Sequence, residues 1–221
     1  MAADQLFKKR KQRERNLARR KASRVQKENI LILCEGEKTE PAYFTSFREY
    51  LRLPAIRVRI DRKNYGLDPL GLVKAAEKAF QNDPELDQIY CVFDKDQHTT
   101  WDAAHERINV LVSRKRAIPV QAITSIPCFE LWFLLHFTST AKPYTYVGEH
   151  SACACLILDL KRYIPDYEKS AANMFEQCKE NLEPAIKRSE KLQEEHRKTG
   201  TSNPSTRMHL LVKKLQLMAC E

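Results

Sequence analysis

The chain has 221 residues, of which 43% are hydrophobic and 30% charged, and its net charge at neutral pH is +9. This length is enough for one sizeable core, or for a core with a helical extension. The longest apolar runs, such as residues 131–137, are far shorter than a membrane span, which argues against an integral membrane protein. The basic N-terminus is not followed by the apolar segment of a signal peptide, so we expect a cytoplasmic protein.

The positive charge is concentrated in residues 1–27. Positions 8 to 27 contain eleven Lys or Arg and a single acid, Glu14, so this segment carries more than the net charge of the whole chain. Its apolar residues are sparse, which predicts a flexible basic arm that binds the phosphate backbone of nucleic acid. The alternative is a solvated tail that aids solubility. The candidate nucleic-acid-binding residues are Lys8, Lys9, Arg10, Lys11, Arg13, Arg19, Arg20, Lys21 and Arg24.

Strand and helix patterns alternate from residue 28 onwards. Apolar runs without polar alternation are typical of strands covered on both faces, whereas alternating runs indicate half-exposed strands. Thr39 is the predicted N-cap of the first helix, with Pro41 in its first turn. This rhythm predicts an α/β fold with a mainly parallel sheet flanked by helices. The predicted strands cover about 30–34, 54–60, 89–93 and 117–123, and the later helices about 69–82 and 101–114.

The second half of the chain is predicted to be mainly helical. An apolar helix is expected over 127–137, and helices continue from about 151 to the end. Ser205 is the expected cap of a last helix over 206–218, and this cap is favoured over a catalytic serine in 202–206. The predicted organisation is therefore an arm at 1–27, a core at 28–150 and a helical C-terminal extension packed on the core at 151–221.

Three carboxylates follow the two most apolar strands. Glu35 comes directly after the run 30–34, and Asp94 and Asp96 follow the run 89–93. If these strands are parallel neighbours, their carboxyl ends meet at one edge of the sheet, where functional groups of open α/β sheets collect. Crowded carboxylates repel one another unless they are protonated or neutralised by a cation. We therefore predict a Mg²⁺ or Mn²⁺ site, because these hard cations prefer oxygen ligands.

Three further residues are candidates for the same site. Glu130 is a single acid in a strongly apolar segment, so it is either a second metal ligand or water-orienting base, or half of a buried pair with Lys or Arg. Lys38 is a candidate for binding phosphate oxygens, against the alternative of a surface counter-charge. His98 is a candidate proton donor to a leaving group.

Seven cysteines, at positions 34, 91, 128, 153, 155, 178 and 220, are expected to be reduced and mostly buried. Cys153 and Cys155, with His150 nearby, have the spacing of half a metal clip. No second pair of ligands completes it in the sequence, so a zinc site is not favoured.

Four segments of the chain resemble the RloB-like proteins. They are 34–44 (CEGEKTEPAYF), 93–96 (FDKD), 127–137 (PCFELWFLLHF) and 202–206 (SNPST), and the resemblance spans about 30–218. It implies a Toprim-like Rossmannoid core, in which Glu35 and the Asp94–Asp96 pair bind Mg²⁺. It also implies an effector in bacterial antiviral defence, with an ABC-type ATPase as an expected partner. Because related antiviral Toprim effectors look like tRNA-cutting toxins, the resemblance favours RNA over DNA as the substrate.

Two classes of function remain open at this point. The first is a metal-dependent nuclease that uses Glu35, Asp94, Asp96, Glu130, Lys38 and His98 in catalysis. The second is a non-catalytic regulatory subunit that binds a nucleotide or an ATPase partner, and a homo-oligomer is left open for both. Clustered acids favour the enzyme, because a scaffold gains nothing from their repulsion.

Overall fold

The computed structural model describes residues 28–95, 98–169, 171 and 173–220. The predictions for the basic arm at 1–27 and for Asp96 lie outside the described residues. Within the described part of the chain, no helix is both long and apolar enough to cross a membrane.

One five-stranded sheet organises the described residues. Its strands are ordered β2-β1-β3-β4-β5, with the first four parallel and β5 antiparallel to β4. Helices flank the sheet, which confirms the predicted α/β class with a mainly parallel sheet. The strands are β1 (Ile30–Cys34), β2 (Val58–Ile60), β3 (Gln88–Asp94), β4 (Val120–Ile126) and β5 (Ser205–Thr206).

The helices of the first half connect the parallel strands, and those of the second half follow β4. Short turns and loops join them, including a 3₁₀ turn at Lys179–Asn181. The helices are α1 (Thr39–Tyr50), α2 (Pro69–Asn82), α3 (Trp101–Ser113), α4 (Glu130–Phe137), α5 (Ala152–Leu160), α6 (Met174–Cys178), α7 (Leu182–Thr199) and α8 (Met208–Ala219).

Alternate residues of the central strands feed two hydrophobic clusters, one on each face of the sheet. On one face, Ile32 and Val92 pack with α1 and with the helices of the second half. On the other face, Leu33 and Cys91 pack against α2 and α3. Both faces are covered, as the apolar runs predicted. The first cluster contains side chains from both sides of residue 150, the predicted boundary between the core and the C-terminal extension. The predicted division into domains stays a prediction.

The prediction that the two carboxylate-bearing strands are parallel neighbours is confirmed. β1 pairs with β3 in a register that sets Cys34 beside Val92. From β1 the chain crosses through α1 to β2 on one side, and from β3 it crosses through α3 to β4 on the other. Such a reversal of strand order opens a crevice at the carboxyl ends of the two strands. Glu35 and Asp94 lie at this crevice.

Besides the strand expected over 117–123, which is found at Val120–Ile126, three predicted boundaries were wrong. The strand expected over 54–60 begins only at Val58, because Pro54 accepts backbone hydrogen bonds from Arg57 and Val58 in a turn. The apolar helix expected from 127 begins at Glu130, after the cis peptide bond between Ile126 and Pro127.

The third error concerns the end of the chain. Ser205 does not cap a helix; with Thr206 it forms β5, and the last helix begins at Met208. The Thr206 hydroxyl lies 3.0 Å from that of Ser125 on β4. Pairing with a distant strand therefore determines the conformation of these residues, and no local pattern records that pairing.

Candidate metal centre

A cleft of about 620 Å³ opens at the carboxyl ends of β1 and β3. The start of α1, the start of α4 and the segment between α5 and α6 form its other walls. Most of the ionisable side chains around it are acidic. It is lined by Glu35, Gly36, Glu37, Lys38, Thr39, Glu40, Gly66, Leu67, Asp68, Asp94, His98, Phe129, Glu130 and Lys169.

Glu35 directly follows β1 and therefore lies in the wall of the cleft that the carboxyl ends of β1 and β3 form. Its Oε2 accepts a hydrogen bond from the backbone N–H of Asp94 at 3.0 Å, which fixes the carboxylate across the gap between the two strands. Its Oε1 lies 2.5 Å from Nε2 of His98. The structure therefore brings together Glu35, Asp94 and His98, three of the residues singled out from the sequence.

Asp94 is the last residue of β3, and its side chain turns towards α4. Its Oδ2 accepts a hydrogen bond from the backbone N–H of Phe129 at 3.0 Å. Burial raises the pKa of Asp94 well above its usual range, and the neighbouring acids Glu40 and Glu130 raise it further. An acid in this environment is stabilised by a proton or by a cation.

Glu40 is a site residue that the sequence reasoning missed. It lies on α1 and is only 7% exposed. Burial is the main cause that raises its pKa to about 7, with Glu130 and Glu35 adding repulsion. A signal was present: Glu40 precedes Tyr43, Phe44 and Phe47 on the buried face of the helix, so an acid occupies a position of an apolar stripe.

Gly36 allows the Glu40 carboxylate to occupy this position. A Cβ placed at residue 36 would lie 2.5 Å from Cδ of Glu40, closer than such atoms approach in real structures. The φ of Gly36 is not in the left-handed region, so the requirement for glycine is one of space alone. The glycine between the strand and the helix thus creates room for a carboxylate.

Glu130, which is only 3% exposed, extends from the first residue of α4 into the cleft. Its Oε1 accepts a hydrogen bond from the Tyr167 hydroxyl at 2.9 Å. The ammonium group of Lys169 is 3.8 Å from the same oxygen, and its side chain is 64% exposed. Among the described residues, the alternative of a buried pair with Lys or Arg is met by one loose contact with a solvated lysine, and the Tyr167 hydroxyl is the closer partner.

The segment between α5 and α6 covers one side of the cleft through Tyr167 and Lys169. It is tied to α1 because the Thr39 hydroxyl donates to the backbone oxygen of Lys169. Thr39 is the first residue of α1 rather than its N-cap, which is Lys38, and its hydroxyl makes no capping bond. The predicted capping role of Thr39 was therefore wrong, because the hydroxyl bonds to the covering segment instead.

Two cysteines beside Glu130 correct the expectation that all seven are reduced. Cys128 and Cys153 form a disulfide, with their Cα atoms 5.7 Å apart, whereas Cys34, Cys91, Cys155, Cys178 and Cys220 are free. The Sγ atoms of this pair and a carboxylate oxygen of Glu130 all lie within 4.8 Å of one another. The partner of Cys153 is thus Cys128 and not the neighbouring Cys155, because the fold packs the start of α5 against the start of α4.

The donors of this cleft fit a hard divalent cation. Carboxylates from four separate elements converge on it: Glu35 after β1, Glu40 on α1, Asp94 on β3 and Glu130 on α4. Carboxylate oxygens are the ligands that Mg²⁺ and Mn²⁺ prefer. Burial, and after it repulsion from neighbouring acids, raises the pKa values of Asp94 and Glu40; both effects disfavour the charged carboxylates, and a divalent ion would offset them.

Comparison with known proteins gives one result. A family model described as RloB-like protein matches residues 30–215. Searches of the curated proteins and of the solved structures give no significant match. The match spans every strand of the sheet and the four converging acids Glu35, Glu40, Asp94 and Glu130. It confirms the resemblance found in the sequence, and the chain therefore belongs to the RloB-like protein family.

Proposed function

We propose that this protein is a Mg²⁺- or Mn²⁺-dependent nuclease of the Toprim type, which hydrolyses phosphodiester bonds in nucleic acid. The observation that carries the proposal is the convergence of Glu35, Glu40, Asp94 and Glu130 at the point where strand order reverses. A purely structural role would gain nothing from bringing four mutually repelling acids together, two of them buried and two half-buried. A cation centre explains why they are together.

In this proposal the acids hold the ion and orient the substrate. Glu35 and Asp94 would be the principal ligands, with Asp96 added by the family resemblance, and Glu130 and Glu40 would be further ligands. When bound, the ion supplies positive charge beside the scissile phosphate. Backbone N–H groups of Asp94 and Phe129 already fix the orientation of two of the carboxylates.

His98 and the two lysines of the cleft supply the remaining roles. His98 is held against Glu35 and is the group we assign to protonating the leaving oxygen. Lys38 and Lys169 line the cleft and are suited to binding non-bridging phosphate oxygens. The basic arm at 1–27 would hold the rest of the nucleic acid through its phosphates.

The biological setting is proposed from the family resemblance. We infer that RNA, and tRNA in particular, is the substrate, and that the protein acts as an effector of bacterial antiviral defence. An ABC-type ATPase is the expected regulatory partner. A non-catalytic subunit that binds a nucleotide or this ATPase is the competing function, and the experiment below separates the two.

The test combines cleavage with metal binding. Labelled tRNA and plasmid DNA are incubated with the purified protein and Mg²⁺ or Mn²⁺, with and without chelator, and Mn²⁺ binding is measured by calorimetry. Asp94→Asn should abolish Mn²⁺ binding and lower the cleavage rate at least about 100-fold. Asp102→Asn, which changes an exposed acid in the first turn of α3, should alter neither.

The two functions predict different outcomes for the wild type. Chelator-sensitive cleavage of either substrate that is lost in Asp94→Asn supports the nuclease. If wild type and Asp94→Asn cleave equally fast, the activity comes from elsewhere and the proposed centre is wrong. If the wild type neither binds Mn²⁺ nor cleaves any substrate, even with the ATPase added, the regulatory subunit is the better description.

A further inference from the structure

Three consecutive residues connect the disulfide to the proposed metal centre. Cys128 bonds to Cys153, the backbone N–H of Phe129 donates to Asp94, and Glu130 points its carboxylate into the cleft. A chemical change at Cys128 therefore occurs within two residues of the N–H group that holds Asp94 and of Glu130, itself an acid of the cleft. None of the roles proposed above uses this pair of sulfurs.

The contact between Cys153 and Glu130 depends on the oxidation state of the sulfur. Sγ of Cys153 lies 3.6 Å from Oε2 of Glu130. A thiol at this position donates a weak hydrogen bond to the carboxylate, whereas a disulfide sulfur has no hydrogen and cannot donate. Disulfide formation therefore takes a donor from one oxygen of a carboxylate that is almost fully buried.

We propose that Cys128 and Cys153 form a reversible thiol–disulfide pair whose oxidation strengthens divalent-cation binding in the cleft. The inference rests on the proposed metal centre. In the reduced protein, the Cys153 thiol competes with the cation for Oε2 of Glu130. In the oxidised protein that oxygen has lost its donor, and a cation becomes its favourable partner.

Burial decides which oxidant can act. Cys128 is 2% exposed and Cys153 is 5% exposed, so a bulky disulfide such as oxidised glutathione cannot reach either sulfur in the folded protein. Hydrogen peroxide is small enough. One thiolate attacks the peroxide and releases hydroxide, giving a sulfenic acid; the second sulfur displaces its oxygen, which leaves as water. The two cysteines lose two electrons and one peroxide gains them, while a dithiol reductant small enough to reach the same sulfurs reverses the change.

The test measures Mn²⁺ affinity in both oxidation states by calorimetry, without any nucleic acid. Free thiols counted after unfolding should number seven in the reduced protein and five after peroxide treatment. The oxidised wild type should bind Mn²⁺ about 2- to 10-fold more tightly than the reduced protein, the range set by one modest hydrogen bond. Cys155→Ser, which alters a free cysteine on the same helix, should keep this response.

Two variants distinguish two possible causes of the change in Mn²⁺ affinity: loss of the Cys153 hydrogen-bond donor and formation of the covalent link. Neither Cys128→Ala nor Cys153→Ala can form the disulfide, so both should lose the response to peroxide. Cys153→Ala also removes the donor and should bind Mn²⁺ as tightly as the oxidised wild type. Cys128→Ala keeps the Cys153 thiol and should bind as weakly as the reduced wild type.

The outcomes distinguish this inference from the proposed function. Equal Mn²⁺ affinity in the two oxidation states, or in the two alanine variants, overturns the redox inference and leaves the metal centre intact. If the wild type binds Mn²⁺ in neither oxidation state, the proposed metal centre is wrong. The redox inference, which rests on that centre, is then wrong as well. Seven free thiols after peroxide treatment overturn the disulfide itself.

Discussion

Protonation of Glu40 makes the stability of the metal-free protein depend on pH. Its pKa of about 7 in the folded chain exceeds the ordinary value of 4.5, so the folded state binds a proton more tightly than the unfolded state does. Stability from this group is therefore fully present below pH 4.5 and is lost as the pH rises through about 7. Asp94, whose pKa is also raised, acts in the same direction.

We predict that Glu40→Gln flattens the pH dependence of the unfolding free energy in the presence of chelator. Between pH 4.5 and 8, the wild type should lose about 3 kcal/mol more than the variant, from the size of the pKa shift. Urea unfolding at a series of pH values measures this difference. Glu49→Gln, an exposed change on the same helix, should follow the wild type. Identical slopes for wild type and Glu40→Gln would contradict the role given to burial.

Gly36→Ala should expel the Glu40 carboxylate from its position, because the new methyl group overlaps it. The expected result is about a 10-fold loss in Mn²⁺ affinity, the scale seen when groups that orient metal ligands are changed. Calorimetry with Glu40→Ala and the double variant provides the control. If the overlap is the cause, Gly36→Ala should cost much less in the Glu40→Ala background. An equal loss in both backgrounds would indicate a backbone effect instead.

Sequence analysis singled out three of the four converging acids, Glu35, Asp94 and Glu130, and missed Glu40 for a physical reason. Glu35 and Asp94 follow apolar strands, and parallel pairing of those strands necessarily brings them to one edge. Glu40 belongs to a helix, and its direction depends on how that helix packs on the sheet. Its proximity to Gly36 is a three-dimensional fact that residue spacing does not encode.

At the scale of single elements, the segment at 202–206 shows what local patterns do not reveal. Both polar atoms of the Asn203 side-chain amide bond to the backbone of Tyr144. Its Oδ1 accepts a hydrogen bond from the Tyr144 N–H at 3.1 Å, and its Nδ2 donates one to the Tyr144 carbonyl at 2.7 Å. The segment resembled a helix cap because Ser, Thr and Asn favour caps. Here the Asn203 side chain instead joins the segment before β5 to the loop before α5.

Asn203→Ala should therefore destabilise the protein without changing its metal affinity. Loss of two hydrogen bonds to partly buried backbone groups should lower the unfolding free energy by about 1–3 kcal/mol. Denaturant unfolding and Mn²⁺ calorimetry together provide the measurement. Ser202→Ala, a neighbouring exposed change, should stay within about 0.5 kcal/mol of the wild type. A large loss of cleavage in Ser202→Ala would instead support the alternative that this segment contains a catalytic serine.

At the scale of the whole molecule, the proposed function divides the work between a near-neutral body and a cationic arm. Residues 1–27 contain eleven Lys or Arg and two acids, so deleting them removes the whole net charge of +9. Nucleic acid affinity should fall, and the log–log dependence on salt should flatten by about 0.7–0.9 for each phosphate that the arm neutralises in the full chain. Titrations of labelled RNA at several salt concentrations measure both. The melting temperature and the Mn²⁺ affinity should stay near wild-type values, and an unchanged salt slope would show that the arm is a bystander.

The general architecture followed from the sequence, because the alternation of apolar strands with amphipathic helices leaves few arrangements other than a parallel sheet. The order of strands across the sheet did not follow, since any right-handed crossover satisfies the local pattern. The pairing of Cys128 with Cys153 was also inaccessible: it requires α4 and α5 to pack side by side. Both the strand order and the disulfide depend on contacts between segments that are distant in the sequence, and local sequence patterns do not record such contacts.

The antiparallel strand β5 has a consequence for how the protein folds while it is being made. Thr206, which bonds to Ser125, leaves the ribosome 81 residues after it. At the usual rate of elongation this separation corresponds to roughly 4–16 s. During that interval the part of the outer edge of β4 that β5 later pairs with, at Ser125 and Ile126, presents unpaired backbone groups to solvent and to neighbouring nascent chains. Slow translation between residues 126 and 206 should therefore favour aggregation at this edge, and fast completion of the chain should protect against it.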